Sequence, residues 1–140
     1  LVGVLDALWL GGEDAGADTR WGGQRGGVDG RSASDGPSWC AWTERAWRGG
    51  ASAGGVIYER HIGAFTGAGT LGAAIGRLDQ LGELGVTHVE LLAVNAFNGT
   101  HNWGYDGVLP YAPDAAYGRP EELKHLIDTA HGKGLMVLID

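Results

Sequence analysis

The sequence contains a single cysteine, Cys40. One thiol excludes an internal disulfide and suits a reducing compartment, so a cytoplasmic location is expected. Positive charge is also scarce: 10 Lys and Arg stand against 17 Asp and Glu, for a formal net charge of −7. A general binder of phosphate backbones needs a basic face, so no nucleic-acid partner is expected. The stretch RWGGQRGG superficially resembles an arginine–glycine segment that binds RNA, but Asp18, Asp29 and Asp35 are interleaved with the arginines of this region. No apolar run reaches the length of a membrane span. The apolar start Leu1–Leu10 is interrupted by Asp6 and lacks a basic lead, so no membrane partner is expected.

Several chemical signatures are missing as well. His61, His88, His101, His125 and His131 show no metal-ligand spacing, with neither HExxH nor a Cys/His cluster. There is no GxxxxGK phosphate loop, and no GxGxxG follows a strand; the GAGT after Phe65 is too short to argue a nucleotide. No metal is expected at these histidines. Cys40 has no evident base beside it and reads as inert. Asn98-Gly99-Thr100 matches a glycosylation acceptor, yet without a secretion signal an Asn-Gly turn is the better reading.

What the sequence has in excess is glycine, 27 residues of it. From Leu1 to about Gly55 the structural signal is weak. VGVLDALWL reads as a strand or a short helix, and nine residues do not decide between the two. EDAGADTRWGGQRGGVDGRSASDGPSW is rich in Gly, Asp and Ser and reads as turns or disorder rather than packed elements. Trp39, Trp42 and Trp47 form an expected apolar seam against a neighbouring domain. The chain begins at Leu1 rather than Met and stops at Asp140 inside an apolar run, as an internal piece of a longer protein would.

Beyond residue 55 the pattern sharpens. Val56–Gly63 is a strand by β-branched and aromatic content. Thr70 opens a helical pattern in which Leu71, Ala74, Ile75, Leu78, Leu81 and Leu84 recur at steps of three and four, closed by Gly85. Gly72, Gly76 and Gly82 interrupt it at a cost of roughly 1 kcal/mol each against alanine, so packing must hold this helix. Val86–Val94 reads as a buried strand. Pro120 fits a first helical position, with Glu121 and Glu122 complementing the dipole and Leu123, Leu126, Ile127 and Ala130 as the buried stripe. Gly132 and Gly134 stop that helix before a third strand, Leu135–Asp140. Apolar strands joined by helices predict an α/β fold with a parallel sheet covered on both faces. A closed barrel needs roughly 250 residues, so the visible part reads as its first three strands.

Between the second strand and the last helix lies Asn95–Pro120, too long for an ordinary connection and too aromatic for a disordered linker. Phe97, Trp103, Tyr105, Tyr111 and Tyr117 alternate with Asn98, His101, Asn102, Asp106 and Asp114, a composition suited to stacking on sugars and bonding their hydroxyls. The loop leaves the C-terminal end of a strand, where sites of parallel α/β folds form. Trp103 and Tyr105 can equally be packing residues, and both readings stay open. Glycoside cleavage usually needs two carboxylates across the scissile bond, about 5–5.5 Å apart for retention and wider for inversion. Asp106 and Asp140 are the candidates at this end of the sheet, each alternatively a hydrogen-bond acceptor that shapes the site. Glu59, His61, His88 and Glu90 lie within strands and read as polar groups facing a barrel interior or the helices.

VIYERHIGAFT, LGVTHVELLAV and FNGTHNWGYDGVLPYAPDAAYGRPEELKHLIDTAHGKGLMVLID resemble the opening of the catalytic barrel of α-amylase-superfamily glycoside hydrolases. Within that superfamily the similarity is greatest to the malto-oligosyltrehalose trehalohydrolases, and NWGYDGVLPYA is fairly specific to that group; the glucan branching enzymes resemble it less. The resemblance implies the first three strands and two helices of a (β/α)8 barrel over 55–140. Residues 1–54 would be the end of a β-sandwich domain and its linker. It further implies hydrolysis of the α-1,4 bond next to the terminal trehalose of malto-oligosyltrehalose, or action on another α-glucan substrate, by a retaining mechanism without an organic cofactor. Tyr105 matches the aromatic that stacks on the sugar at the cleavage subsite, and Trp103 and Asp106 match its neighbours. Asp140 matches an aspartate that orders the site and is not the nucleophile, which overrules the Asp106/Asp140 catalytic pair. The nucleophile and the acid are expected beyond residue 140. Alternatives are a branching or debranching enzyme and a carbohydrate-binding module without catalysis.

Overall fold

The computed structural model describes residues 22–25, 31–34, 42–43, 46–92, 94–103, 105–107 and 109–140. The VGVLDALWL segment, Trp39 and Cys40 lie outside the described residues. The elements run β1 (Gly22–Arg25), β2 (Arg31–Ser34), β3 (Ile57–His61), α1 (Ile62–Phe65), α2 (Leu71–Ile75), α3 (Leu78–Glu83), β4 (His88–Leu92), β5 (Asn95–Ala96), β6 (Leu109–Pro113), α4 (Pro120–Gly132) and β7 (Met136–Ile139). No helix among the described residues is long and apolar enough to cross a membrane.

β1 and β2 form an antiparallel pair with Gly22 opposite Ser34 and Arg25 opposite Arg31. The composition of this stretch reads as turns or disorder rather than packed elements, and the pairing corrects that. Glycine and serine weaken a strand without forbidding it, because the ladder runs through backbone groups.

The central sheet is parallel, in the order β3-β4-β7. Its register aligns Tyr58 with Val89 and Val137, and Glu59 with Glu90 and Leu138. Side chains alternate faces along a strand, so Val89, Leu91 and Val137 look one way. They join Leu71, Ala74, Leu78 and Leu81 of α2 and α3 and Leu126, Ile127 and Ala130 of α4 in one buried cluster. The other face carries Ile57, which is 53% exposed, with exposed Glu59 and half-buried Glu90. A sheet covered by helices on both faces was expected. Here both crossovers step the same way across the sheet, and right-handed crossovers then place both helical layers on one side.

The helix expected from Thr70 to Leu84 is two short ones. Thr70 caps the first, its Oγ1 accepting the Ala73 amide at 3.3 Å. The chain leaves helical pairing at Gly76 and Arg77, and Leu84, placed on the buried stripe by its spacing, is 66% exposed. Leu78, Leu81 and Leu84 all follow the break; each step of three drifts around the helix axis, and Leu84 lies past the end of α3 at Glu83, so Leu78 and Leu81 stay inward while Leu84 turns out.

α4 begins at Pro120, and the Arg119 amide before it donates to Glu122 Oε2 at 2.8 Å. Buried Asp128 interrupts its apolar stripe. The cause is a strap from the preceding chain: Asp128 accepts the Thr43 amide at 2.9 Å and the Thr43 hydroxyl at 2.5 Å. Trp47 lies flat on His131, 4.0 Å between centroids and 8° between planes. Trp42 packs against the core with the Lys124 ammonium 5.5 Å from its ring. Of the three tryptophans expected to form the apolar seam, Trp42 and Trp47 are thus fastened to α4, a helix of the 55–140 segment.

The long connection also has structure of its own. β5 and β6 pair antiparallel, with Asn95 opposite Pro113 and Ala96 opposite Leu109 across an irregular register. A two-residue strand shows no measurable period, and Pro110 and Pro113 argue against a strand. The ribbon brings the feet of the loop together and leaves the loop's tip beyond them.

Candidate functional site

The base of the loop is held by Asp114. Its carboxylate accepts the Phe97 amide at 3.0 Å and the Ala116 amide at 2.7 Å, while its own amide donates to the Val94 carbonyl at 2.8 Å. The bond to Ala116 is the Asx-type turn that an aspartate makes with the backbone two residues on. Tyr117 follows in the same turn, and its carbonyl accepts the Leu71 amide at 2.8 Å, tying the loop to the start of α2. The Phe97 and Tyr117 rings are buried against each other, 5.6 Å between centroids. Burial, with the Asp114 charge as a smaller contribution, raises the pKa of the Tyr117 phenol above 10.0, so it stays neutral. Its hydroxyl is buried with no hydrogen-bond partner among the described residues.

The tip hangs from the sheet through His61. Nε2 of this residue, at the end of β3, lies 2.6 Å from the Asn102 carbonyl oxygen. Asn102 is buried, and its Oδ1 accepts the Asp106 amide at 3.3 Å. The turn so closed displays Trp103 and Tyr105, which are 85% and 86% exposed. Asp106 is exposed beside them. Asp140 is exposed at the end of β7, its amide donating to Leu91 at 3.2 Å. The structure therefore gathers Trp103, Tyr105 and Asp106 on one tip, and Asp140 belongs to the sheet. No hydrogen bond joins Asp140 to those three among the described residues.

Composition had placed Phe97, Tyr117, Asn102 and Asp114 on the sugar-facing surface as well. All four are buried. Both Asp114 oxygens are occupied by backbone amides, and both rings belong to the core. A loop must satisfy its own backbone before it can present anything, and composition does not separate the residues that do so from those left over. From the sequence His61 reads only as a polar group within a strand, facing a barrel interior or the helices, and its contact with Asn102 has no local signal. The Asp114–Ala116 turn was the one part of this base with a local signal. His88, also buried, meets the Thr87 hydroxyl through Nδ1 at 2.7 Å and takes no part at this end.

What the arrangement offers chemically is two flat apolar faces in solvent with a carboxylate alongside, at the C-terminal end of a parallel sheet. Aromatic faces of this kind suit the C–H faces of pyranose rings, and the carboxylate suits their hydroxyls.

No family model matches the chain. Over 104 residues it is 56% identical to malto-oligosyltrehalose trehalohydrolase of Arthrobacter ramosus, covering 74% of this chain and 18% of that protein. The corresponding protein of Rhizobium sp. is 50% identical over 114 residues, 81% of this chain and 19% of its own length. A 1,4-alpha-glucan branching enzyme of Corynebacterium jeikeium is less similar, 37% over 106 residues, with 71% of this chain and 15% of the enzyme covered. The chain thus spans about a fifth of the length of the curated trehalohydrolases it matches. Among solved structures, one described as an alpha amylase from Salmonella typhimurium superposes with a TM-score of 0.80 at 46% identity, over 84% of this chain and 20% of that one. A GBS pullulanase in complex with maltotetraose gives a TM-score of 0.64 at 26% identity, over 86% of this chain and 22% of that one.

Proposed function

We propose that this chain, which over the segment it shares with them belongs to the malto-oligosyltrehalose trehalohydrolases of the α-amylase superfamily, forms one wall of a sugar subsite in an α-glucan-cleaving enzyme. The observation that carries the reading is the pair of exposed rings, Trp103 and Tyr105, on a loop anchored at the C-terminal end of the parallel sheet. Tyr105 stacks on the sugar at the cleavage subsite, Trp103 extends the platform, and Asp106 accepts from the sugar hydroxyls. Asp140 orders the site from the end of β7. In this reading β3, β4 and β7 are the first three strands of a (β/α)8 barrel over 55–140, and 1–54 close a β-sandwich domain. The uncovered face of the sheet, with Glu59 and Glu90, then looks into the barrel.

The whole protein would hydrolyse the α-1,4-glucosidic bond next to the terminal trehalose of malto-oligosyltrehalose and release trehalose in the cytoplasm. Its nucleophile and acid, the two carboxylates a retaining glycosidase sets about 5–5.5 Å apart, would lie beyond residue 140. A branching enzyme is the second reading, supported by the 37% identity to such an enzyme; the higher identities to trehalohydrolases favour the first.

In a protein of the relatives' full length carrying this segment, Tyr105→Ala should slow trehalose release roughly fivefold, an aromatic stacking contact being worth about 1 kcal/mol. Its melting temperature should not change. Unaltered kinetics would place Tyr105 outside the subsite, and glucan transfer in place of trehalose release would favour the branching reading.

A further inference from the structure

Trp103 and Tyr105 are 85% and 86% exposed, so packing of their own does little to aim them. Their direction has to come from the backbone between Asn102 and Asp106. That backbone is fastened at Asn102, whose carbonyl meets His61 Nε2 at 2.6 Å and whose Oδ1 receives the Asp106 amide at 3.3 Å. A carbonyl can only accept, so Nε2 of His61 carries the proton. The ring has little freedom to turn. Its edge meets Tyr117 at 6.1 Å between centroids and 86° between planes. Gly63 approaches so closely that a Cβ there would stand 3.1 Å from both His61 Cε1 and Tyr117 Cε1. His61 Nδ1 is buried without a hydrogen-bond partner among the described residues.

We infer that His61 is a positioning residue for the aromatic tip. One N–H···O bond from the end of a core strand sets Asn102, and Asn102 sets the arc on which Trp103 and Tyr105 stand. The arrangement transmits the rigidity of β3 to two rings that would otherwise sample many directions. A platform already ordered loses less freedom when a ligand stacks on it. The purpose assigned here rests on the sugar-wall reading; the geometry does not.

The test uses a protein of the relatives' full length carrying this segment, with isotope labels on His61 and on the amides of 102–106, and nuclear magnetic resonance. The imidazole nitrogens of His61 should report the Nε2–H tautomer, and an Nδ1–H tautomer overturns the inference. His61→Gln keeps a donor within reach of the same carbonyl, whereas His61→Leu removes it. Amide order parameters across 102–106 should stay near 0.85 in the wild type and in His61→Gln, and fall below about 0.6 in His61→Leu. Equal values in the two variants overturn it. With maltotetraose as the probe, His61→Leu should bind about fivefold more weakly, as expected for one lost net hydrogen bond, and His61→Gln within about twofold of wild type. If His61→Leu does not fold, the tautomer and His61→Gln decide, and a disordered tip in His61→Gln counts against the inference. If the wild-type tip is ordered by His61 but does not respond to maltotetraose, the positioning role stands and the sugar-wall reading fails.

Discussion

The Asp114 carboxylate reaches back across the ribbon to accept the amide of Phe97, 17 residues earlier in the chain, at 3.0 Å. With its second oxygen on Ala116 it closes the foot of the loop. Everything displayed at the tip depends on that closure, because the ribbon between β5 and β6 is too short and irregular to hold alone.

Asp114→Ala removes both acceptors and leaves the Phe97 amide unpaired in a buried place. Unpaired buried donors cost about 1–3 kcal/mol each, so the variant should lose roughly 2–3 kcal/mol of stability in urea unfolding. A loss below about 0.5 kcal/mol would mean that the loop foot closes without the carboxylate.

Tyr117 makes alkaline stability testable. Its pKa is raised in the folded chain above 10.0, the value expected when unfolded. Below pH 10 both states hold the proton and the group has no pH effect. Above it the unfolded chain releases the proton first, so the contribution falls away as pH rises through the folded pKa. The phenol should therefore remain protonated past pH 10 in a spectrophotometric titration. Tyr117→Phe should abolish that part of the alkaline decline and, having no unpaired hydroxyl, should cost less than about 1 kcal/mol at pH 7. A Tyr117 that titrates normally contradicts the burial seen here.

Two glycines should respond to alanine in opposite directions. Gly82 lies inside α3, and a Cβ there would meet nothing within 4 Å. Gly82→Ala should stabilise by about 0.5–1 kcal/mol through helix propensity. Gly118 has φ 141, and its Cβ would stand 2.7 Å from Glu122 Oε2, the acceptor of the Arg119 amide. Gly118→Ala should cost more than about 1 kcal/mol, both for the strained backbone and for the disturbed start of α4. Thermal melts of the two variants check the opposition, and a shift in the same direction refutes it.

The strap across α4 predicts a coupled pair. Thr43→Val removes one hydroxyl donor from Asp128, which is 9% exposed, and should destabilise by about 1.5–3 kcal/mol, as a hydrogen bond to a charged group is worth. In Asp128→Asn the same replacement should cost less, because the acceptor is no longer charged. A double-mutant cycle with no coupling would detach the strap from the helix.

The residues whose structure is decided by neighbours in sequence were legible in sequence. β4 and β7 show as apolar runs, Pro120 and the glutamates after it mark the start of α4, and Thr70 marks the start of α2. Each of these signals is read within one turn or one strand. The likeness carried by NWGYDGVLPYA was legible in the same way, as a local string. What escaped was decided by contacts between distant parts. The same spacing that places Leu78 and Leu81 inward puts Leu84 with them, but α3 ends at Glu83 and Leu84 lies past that end, turned to solvent. Phe97 and Tyr105 have the same flat apolar chemistry; one is buried because Tyr117 and the core cluster meet it, and the other is exposed because nothing does. Asp114 and Asp106 differ likewise, the first surrounded by amides and the second facing water. Composition determined that this loop would carry rings and carboxylates. Tertiary structure decided which of them hold the loop and which it displays, because that choice depends on where β3 ends and what His61 can reach.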